Sequence, residues 1–122
     1  MAVYFAQAAD GAPVKIGSSY DPSQRMRRLR CPVTGAVPRL LNVISGGLHC
    51  EWWWHARFAH LAIWKESLLG RERRPIFRMT EWFRPSESML HIVTTVTIGE
   101  FAAMQRNWSP AHPVLWMERR AA

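Results

Sequence analysis

A short turn signal near the N-terminus places the strongest constraint on how this chain folds. The dipeptide Asp10-Gly11 separates two segments, Ala2–Gln7 and Val14–Ser19, whose β-branched and aromatic residues favour extended structure. Because Asp-Gly suits the tight turns that join antiparallel strands, this arrangement predicts a β-hairpin. The fold is therefore expected to begin with two neighbouring antiparallel strands.

A helix start follows the hairpin directly. Asp21 can accept hydrogen bonds from the free N–H groups of a first helical turn, and Pro22 suits the first helical position. Gln24, three residues after the cap, can reach back to it. These residues predict a helix that runs to about Arg30 and stops near Cys31-Pro32.

The rest of the chain predicts one more strand and two longer helices. Leu40–Ile44 is predicted as the third strand, and residues 49–64 and 86–107 as the second and third helices. Between these helices, residues 65–80 are charged and mixed, which favours a surface insertion with one helical turn. The tail containing Pro110 and Pro113 is predicted to be irregular.

These elements predict an α/β (α+β) fold, with a small three-stranded antiparallel sheet flanked by helices. We expect residues 1–90 to form this domain, and residues 91–122 to add a helix and an irregular tail packed on it. A chain of 122 residues has the length of one domain.

Charge and composition narrow the classes of partner. The net charge of +7 favours a polyanion such as nucleic acid, since neutralising phosphates releases counterions; a basic protein without such a partner is the alternative. The apolar run 92–98 is too short to span a bilayer, so no membrane partner is expected. Two cysteines, Cys31 and Cys50, provide no disulfide framework and suit a reducing cytoplasm.

The second predicted helix carries a carboxylate within its apolar stripe. At about 100° per residue, the side chains within about 80° of Glu51 are those of Trp54, His55, Phe58, Leu61 and Ala62. A carboxylate there is costly unless it is paired, hydrogen-bonded or bound to a metal. A functional role for Glu51 is favoured over a structural pair with an arginine.

The opposite face of the same helix is also distinctive. Trp53, Arg57, His60 and Trp64 share it on the helical wheel. Either the C-terminal segment covers these tryptophans, or they form a homodimer or nucleic-acid surface.

The first helix supplies candidate phosphate contacts. Arg25 and Arg28 are three residues apart and share one side. Arg25 also lies one turn after the capped start, behind the strand that carries Lys15. The alternative is an ordinary solvated basic face.

Five short motifs, taken in order, resemble the signature of the GIY-YIG nucleases. They are Val3-Tyr4-Phe5, Lys15-Ile16-Gly17-Ser18, Arg25, the Glu51–His55–Phe58 spacing and Glu81-Trp82-Phe83. They are most similar to the phage and bacterial branch, whose second motif reads Lys-Ile-Gly. The resemblance covers residues 2–90 and implies a three-stranded antiparallel sheet flanked by helices.

The resemblance also implies roles for individual residues. Tyr4 and Gly17 match the first two motifs, Arg25 the helix arginine, and Glu51 the ligand of one Mg²⁺ or Mn²⁺ ion. Lys15 replaces the second-motif tyrosine, so either Tyr4 or Lys15 is the general base. The two side chains are expected on the same face of the hairpin, where the Lys15 ammonium would lower the pKa of the Tyr4 phenol and favour Tyr4 as the base. His55 is either a proton shuttle or second-shell group, or a packed histidine.

The expected function is metal-dependent endonuclease cleavage of DNA, with Tyr4, Lys15, Arg25, Glu51 and His55 as catalytic residues. The residues expected to bind nucleic acid are Arg25, Arg28, Arg57, Arg71, Arg73 and Arg74. One alternative is a catalytically inactive nucleic-acid-binding or protein-interaction module on the same scaffold. Another is a zinc site formed by Cys31, His49, Cys50 and His55.

Overall fold

The computed structural model describes residues 1–69, 74–108 and 118–120, and only the backbone of residues 66–69, 74–78 and 118–120. Within these residues the fold is α+β. The strands are β1 (Ala2–Gln7), β2 (Val14–Ser19), β3 (Arg39–Ser45), β4 (Ala62–Leu69), β5 (Arg74–Phe83) and β6 (Glu118–Arg120). The helices are α1 (Pro22–Arg28), α2 (Leu48–Arg57), α3 (Glu87–Thr95) and α4 (Ile98–Asn107).

All strands belong to one antiparallel sheet with the order β3-β1-β2-β5-β4, and β6 pairs with β5. The predicted hairpin is confirmed, and Gly11 takes φ +81° in its turn, a conformation that glycine adopts without strain. The predicted fold class is correct. The predicted number of three strands is too small, because β4 and β5 extend the sheet beyond β2.

The two faces of the sheet pack against different helices. Tyr4 and Ala6 of β1 face α1, where they contact Met26 and Leu29. The alternate residues of β1 point to the other face, as the period of a strand requires. That face carries the main core, whose members include Val3, Phe5, Ile16, Ile44, Trp54, Phe58, Met89, Val93 and Phe101. The helices α2, α3 and α4 therefore cover the face opposite α1.

The second helix is shorter than predicted. It ends at Arg57, and a 3₁₀ turn at Ala59–Leu61 leads into β4. The apolar spacing continues past Arg57, but pairing of β4 with β5 overrides that local preference. Trp53 and Trp64 therefore do not share a helical face: Trp53 is buried in the core, and Trp64 lies on β4.

The sequence left two alternatives for Trp53: covering by the C-terminal segment, or a place on a dimer or nucleic-acid surface. Its ring packs edge-to-face on Phe101 and Trp108, and its Nε1 donates to the Trp108 carbonyl at 3.1 Å. The C-terminal segment thus covers this tryptophan. Dimerisation stays a prediction, but Trp53 is 5% exposed and offers a second copy no surface.

Residues 65–80 also differ from the prediction. Where the backbone is described, it runs as β4 and β5, paired from Trp64 with Met79 to Leu69 with Arg74. The expected helical turn is therefore wrong for the described part. Residues 70–73 of the predicted insertion lie outside the described residues.

The third predicted helix is two helices. Val96 ends α3, and Thr97 caps α4 by accepting a hydrogen bond from the Glu100 backbone N–H at 3.1 Å. Thr97 and Glu100 have the spacing of a capping box, a local signal for this break. In the predicted irregular tail, residues 118–120 form β6, and residues 109–117 lie outside the described part. None of the described helices is long and apolar enough to cross a membrane.

Candidate active site

The hairpin and α1 bring Tyr4, Gly17 and Arg25 together. Tyr4 pairs with Gly17 across β1 and β2, so both lie on the face that α1 covers. Asp21 caps α1 through the Gln24 N–H at 3.1 Å, which fixes the helix start and places the exposed Arg25 beside the Tyr4 phenol. Three of the predicted residues therefore meet at one end of the hairpin.

Gly17 is required by the Tyr4 side chain. A Cβ atom at position 17 would lie 2.6 Å from Tyr4 Cζ, far inside contact distance. Tyr4 is 1% exposed and cannot easily move aside. The glycine of the second motif thus makes room for the phenol of the first.

Gly17→Ala should therefore destabilise the protein by about 1–3 kcal/mol, as overpacking does, and displace the phenol. Urea unfolding measures the first effect. Gly99→Ala is the matched control, since a Cβ there meets nothing closer than 4.0 Å and alanine favours a helix. Equal stability of the Gly17→Ala variant and the wild type would contradict this packing.

Strand β5 contributes Glu81 at the point where it leaves β2. The pairing joins Val14 with Phe83 and Lys15 with Trp82, and Glu81 then adopts φ +68°. This left-handed conformation is costly for a non-glycine residue and is concentrated at functional sites. The turn directs Glu81 to Lys15, whose Nζ donates to its Oε2 at 2.7 Å. Lys15 is buried and paired as an ammonium group.

Helix α2 delivers Glu51 from the opposite face of the sheet. Trp54 anchors the helix by packing edge-to-face on Phe5 with ring centroids 5.1 Å apart. Glu51 is only 5% exposed, as its place in the apolar stripe predicts. Burial, followed by the negative charge of Glu81, raises the pKa of the Glu51 carboxyl to about 7, against the opposing effects of Lys15 and Ser18.

His55 lies one turn after Glu51 and is fully buried, and one of its two ring nitrogens makes a hydrogen bond. Its Nε2 lies 2.8 Å from the Ile16 carbonyl oxygen. A carbonyl can only accept, so Nε2 carries the proton and Nδ1 is left with a lone pair. Burial lowers the pKa of His55, which keeps the ring neutral at pH 7. Nδ1 has no hydrogen-bond partner within the described part of the chain.

Three of these side chains converge on one point. Glu51, His55 and Glu81 each offer a ligand atom, and these atoms lie within 4.8 Å of one another. In the part of the chain that the structure describes, no other group of histidine, cysteine and acidic residues meets this criterion. The alternative zinc site is therefore not assembled: Cys31 instead packs with Ala12 and Trp82.

The environment of Tyr4 differs from the one expected. Lys15 and Tyr4 do lie on the same face of the hairpin, as predicted. Burial nevertheless raises the pKa of the Tyr4 phenol, and the cation that opposes this rise is Arg25 rather than Lys15. Lys15 is engaged with Glu81 instead. Lys15 is therefore not among the groups that lower the pKa of Tyr4 in this structure.

The predicted arginines are separated. Arg25 and Arg28 line a shallow surface depression with Ser19, Tyr20, Asp21 and Gln24. Tyr20 is 85% exposed there. Arg57 instead lies over the Trp108 ring at 5.9 Å, at the other end of α2 from Glu51.

The remaining predicted arginines are only partly observed. Arg74 begins β5, but its side chain is not described. Arg71 and Arg73 lie outside the described residues. Their expected contacts with nucleic acid stay predictions.

Two residues to which the sequence analysis assigned no role belong to the site region. Glu81 stands in the Glu-Trp-Phe motif, but its role depends on β5 lying beside β2. Tyr20 precedes the helix cap Asp21, and its exposure could not be deduced from the residue order. No family model, curated protein or solved structure matches this chain.

Proposed function

We propose that this protein is a divalent-metal-dependent endonuclease that hydrolyses phosphodiester bonds in DNA, on a fold related to the GIY-YIG nucleases. The observation that carries the proposal is the convergence of Tyr4, Lys15, Arg25 and Glu51 from four separate elements, β1, β2, α1 and α2. The order of strand, strand, helix, strand and helix that the residues predict, and with which the resemblance agrees, is also the order of β1, β2, α1, β3 and α2.

The chemistry requires each of these groups. Hydrolysis adds a water oxygen to phosphorus, breaks the bond to one ester oxygen and transfers a proton to that oxygen. Arg25, exposed at the end of the hairpin, can bind the non-bridging oxygens with its planar guanidinium. Glu51 would hold one Mg²⁺ or Mn²⁺ ion, which supplies a Lewis acid for the phosphate and the leaving oxygen.

Tyr4 is the proposed acceptor of the water proton. Arg25 lies next to its phenol and opposes the effect of burial on its pKa. Lys15 is the second basic group, but its ammonium is paired with Glu81 at 2.7 Å. Lys15 is therefore assigned a charge-balancing role between the two carboxylates and the DNA phosphate.

The depression beside Arg25 is the proposed site of DNA contact. Arg28 adds a second guanidinium to it, and Tyr20 presents an exposed aromatic ring. Phosphate contacts from arginine combined with stacking on an aromatic ring are typical of proteins that bind nucleic acid strands. The net charge of +7 also favours binding to nucleic acid.

The direct test incubates the full chain with supercoiled plasmid in Mn²⁺, Mg²⁺ or EDTA. We expect nicked or linear DNA with either metal and intact plasmid in EDTA. DNA that stays intact in every condition, but shifts in a gel, would identify the inactive nucleic-acid-binding module. DNA that neither is cut nor shifts would favour the protein-interaction alternative.

A comparison of arginines on α1 tests the assignment of Arg25. Arg25→Ala should slow cleavage by about 10²-fold, since it removes a donor directed at developing charge. Arg27→Ala is the matched control, because Arg27 is also exposed on α1 and lies two residues away. The Arg27→Ala variant should mainly bind DNA more weakly, and that binding should depend less on salt concentration.

Arg30 is a poorer control than Arg27. Its guanidinium donates to the carbonyls of Arg27 and Leu29, so Arg30→Ala also removes hydrogen bonds that hold the end of α1. Equal losses of cleavage rate in the Arg25→Ala and Arg27→Ala variants would mean that α1 only binds phosphates.

A further inference from the structure

The second nitrogen of His55 has no assigned partner and points to a more complete ion site than Glu51 alone provides. His55 is 0% exposed, and its Nε2 is held by the Ile16 carbonyl at 2.8 Å. A backbone carbonyl in this position fixes the tautomer and the ring orientation of metal-binding histidines. Nδ1, which has no partner among the described residues, then presents its lone pair inside the protein.

Glu81 supplies the second carboxylate. One of its oxygens, Oε2, accepts from Lys15 at 2.7 Å. A carboxylate has two oxygens with several acceptor positions, so Lys15 does not exhaust its capacity. Glu81 has a positive φ of 68° where β5 leaves β2, and one of its carboxylate oxygens lies within 4.8 Å of ligand atoms of Glu51 and His55. Two carboxyl groups, those of Glu51 and Glu81, lie near the single ammonium of Lys15, so a bound cation would balance the second negative charge when both carboxyls are ionised.

We propose that Glu51, Glu81 and His55 Nδ1 together bind one divalent transition-metal ion, with Mn²⁺ preferred over Mg²⁺. A ring nitrogen of His55 and one carboxylate oxygen from each glutamate already lie within 4.8 Å of one another, and Nδ1 is the ring nitrogen without a partner among the described residues. Two carboxylates suit Mn²⁺ and Mg²⁺ alike, whereas an imidazole nitrogen favours the transition metals over Mg²⁺. Three ligands leave further coordination positions for water or a phosphate oxygen. The inference deepens the proposed nuclease site and relies on that proposal for its catalytic meaning.

Binding of Mn²⁺ to the full chain, measured without nucleic acid, tests the site. Calorimetric titration of the EDTA-treated protein should show one Mn²⁺ per chain, bound about tenfold or more tighter than Mg²⁺. The pulsed electron paramagnetic resonance spectrum of bound Mn²⁺ should show coupling to an imidazole ¹⁴N nucleus. Bound Mn²⁺ without ¹⁴N coupling would overturn the inference.

Substitutions then separate the ligands. Glu81→Gln should weaken Mn²⁺ binding about tenfold or more, whereas Glu87→Gln, at an exposed position on α3, should leave it unchanged. His55→Asn places an amide oxygen near the position of Nδ1 and should reduce the preference for Mn²⁺ over Mg²⁺. Unchanged Mn²⁺ affinity in the Glu81→Gln variant would contradict the inference, even where the His55→Asn variant fails to fold.

Failure of this inference can be told apart from failure of the proposed function. Three-ligand Mn²⁺ binding in a chain that does not cut DNA would support the metal site and reject the nuclease. DNA cleavage that depends on Glu51, with no ¹⁴N coupling and unchanged binding in Glu81→Gln, would support the nuclease and reject the three-ligand site.

Discussion

Glu51→Gln should abolish metal-dependent nicking of supercoiled plasmid while the chain stays folded. Glutamine has nearly the same shape as glutamate but is a poor ligand for a hard divalent ion. Because Glu51 is 5% exposed and lies near Glu81 and His55, its carboxylate is the centre of the proposed ion site. Cleavage at the wild-type rate would show that Glu51 does not bind the ion.

The same variant should be more stable than the wild type when ions are removed. The Glu51 carboxyl has an ordinary pKa of 4.5 and a folded-state pKa of about 7. Between these values the folded chain binds more protons than the unfolded chain, so the free energy of unfolding falls as pH rises from 4.5 to 7. Above pH 7 this loss persists, and a shift of this size corresponds to a free energy on the order of 3 kcal/mol.

Urea unfolding in EDTA measures this effect. The wild type and Glu51→Gln should have similar stabilities near pH 4.5, and the variant should be the more stable of the two at pH 8. Adding Mn²⁺ at pH 8 should stabilise the wild type but not the variant, since an ion that binds only the folded chain stabilises it. A wild type more stable than the variant at pH 8 in EDTA would contradict the assigned environment of Glu51.

Tyr4→Phe should reduce the rate of cleavage by about 10²- to 10⁴-fold, the usual contribution of a general base. Lys15→Arg should keep substantial activity, because arginine preserves the charge beside Glu81 but cannot lose its proton. Single-turnover cleavage at saturating enzyme measures both without a contribution from product release. Tyr20→Phe is the matched control for the phenol, since Tyr20 is 85% exposed.

The opposite pattern of activities in these two variants would identify Lys15 as the general base. An inactive Lys15→Arg variant that folds and binds DNA, beside an active Tyr4→Phe variant, would make Lys15 the base. The loss of the Tyr4 hydroxyl should not by itself unfold the chain, because the aromatic ring of phenylalanine still packs over Gly17. Thermal unfolding of each variant checks that an activity loss reflects chemistry rather than stability.

The sequence predicted the parts of the fold that neighbouring residues decide. Asp10-Gly11 determines the first turn, and Asp21 caps α1 as its spacing to Gln24 indicates. Tyr4 and Phe5 lie on opposite faces of β1, as the alternation of side chains along a strand requires. Burial of Glu51 also followed from local spacing, because one turn of helix fixes which residues share a side.

The pairing of strands that are distant in the sequence did not follow from these local signals. The apolar spacing that starts α2 continues past Arg57, yet the chain turns into β4 there because β5 provides a strand partner. Nothing next to Lys15 in the sequence indicates that its ammonium group will donate a hydrogen bond to a carboxylate 66 residues away. That contact exists because β5 lies beside β2 and leaves it at Glu81.

The sequence by itself thus determined the hairpin, the capped first helix and a buried glutamate on the second helix. Only the tertiary structure decided that Glu81 joins Glu51 and His55, and that one nitrogen of His55 is held by Ile16. The physical reason is the separation along the sequence between the residues that interact. Turns, caps and helical faces depend on residues within a few positions, whereas this cluster depends on strand pairing and helix packing between distant segments.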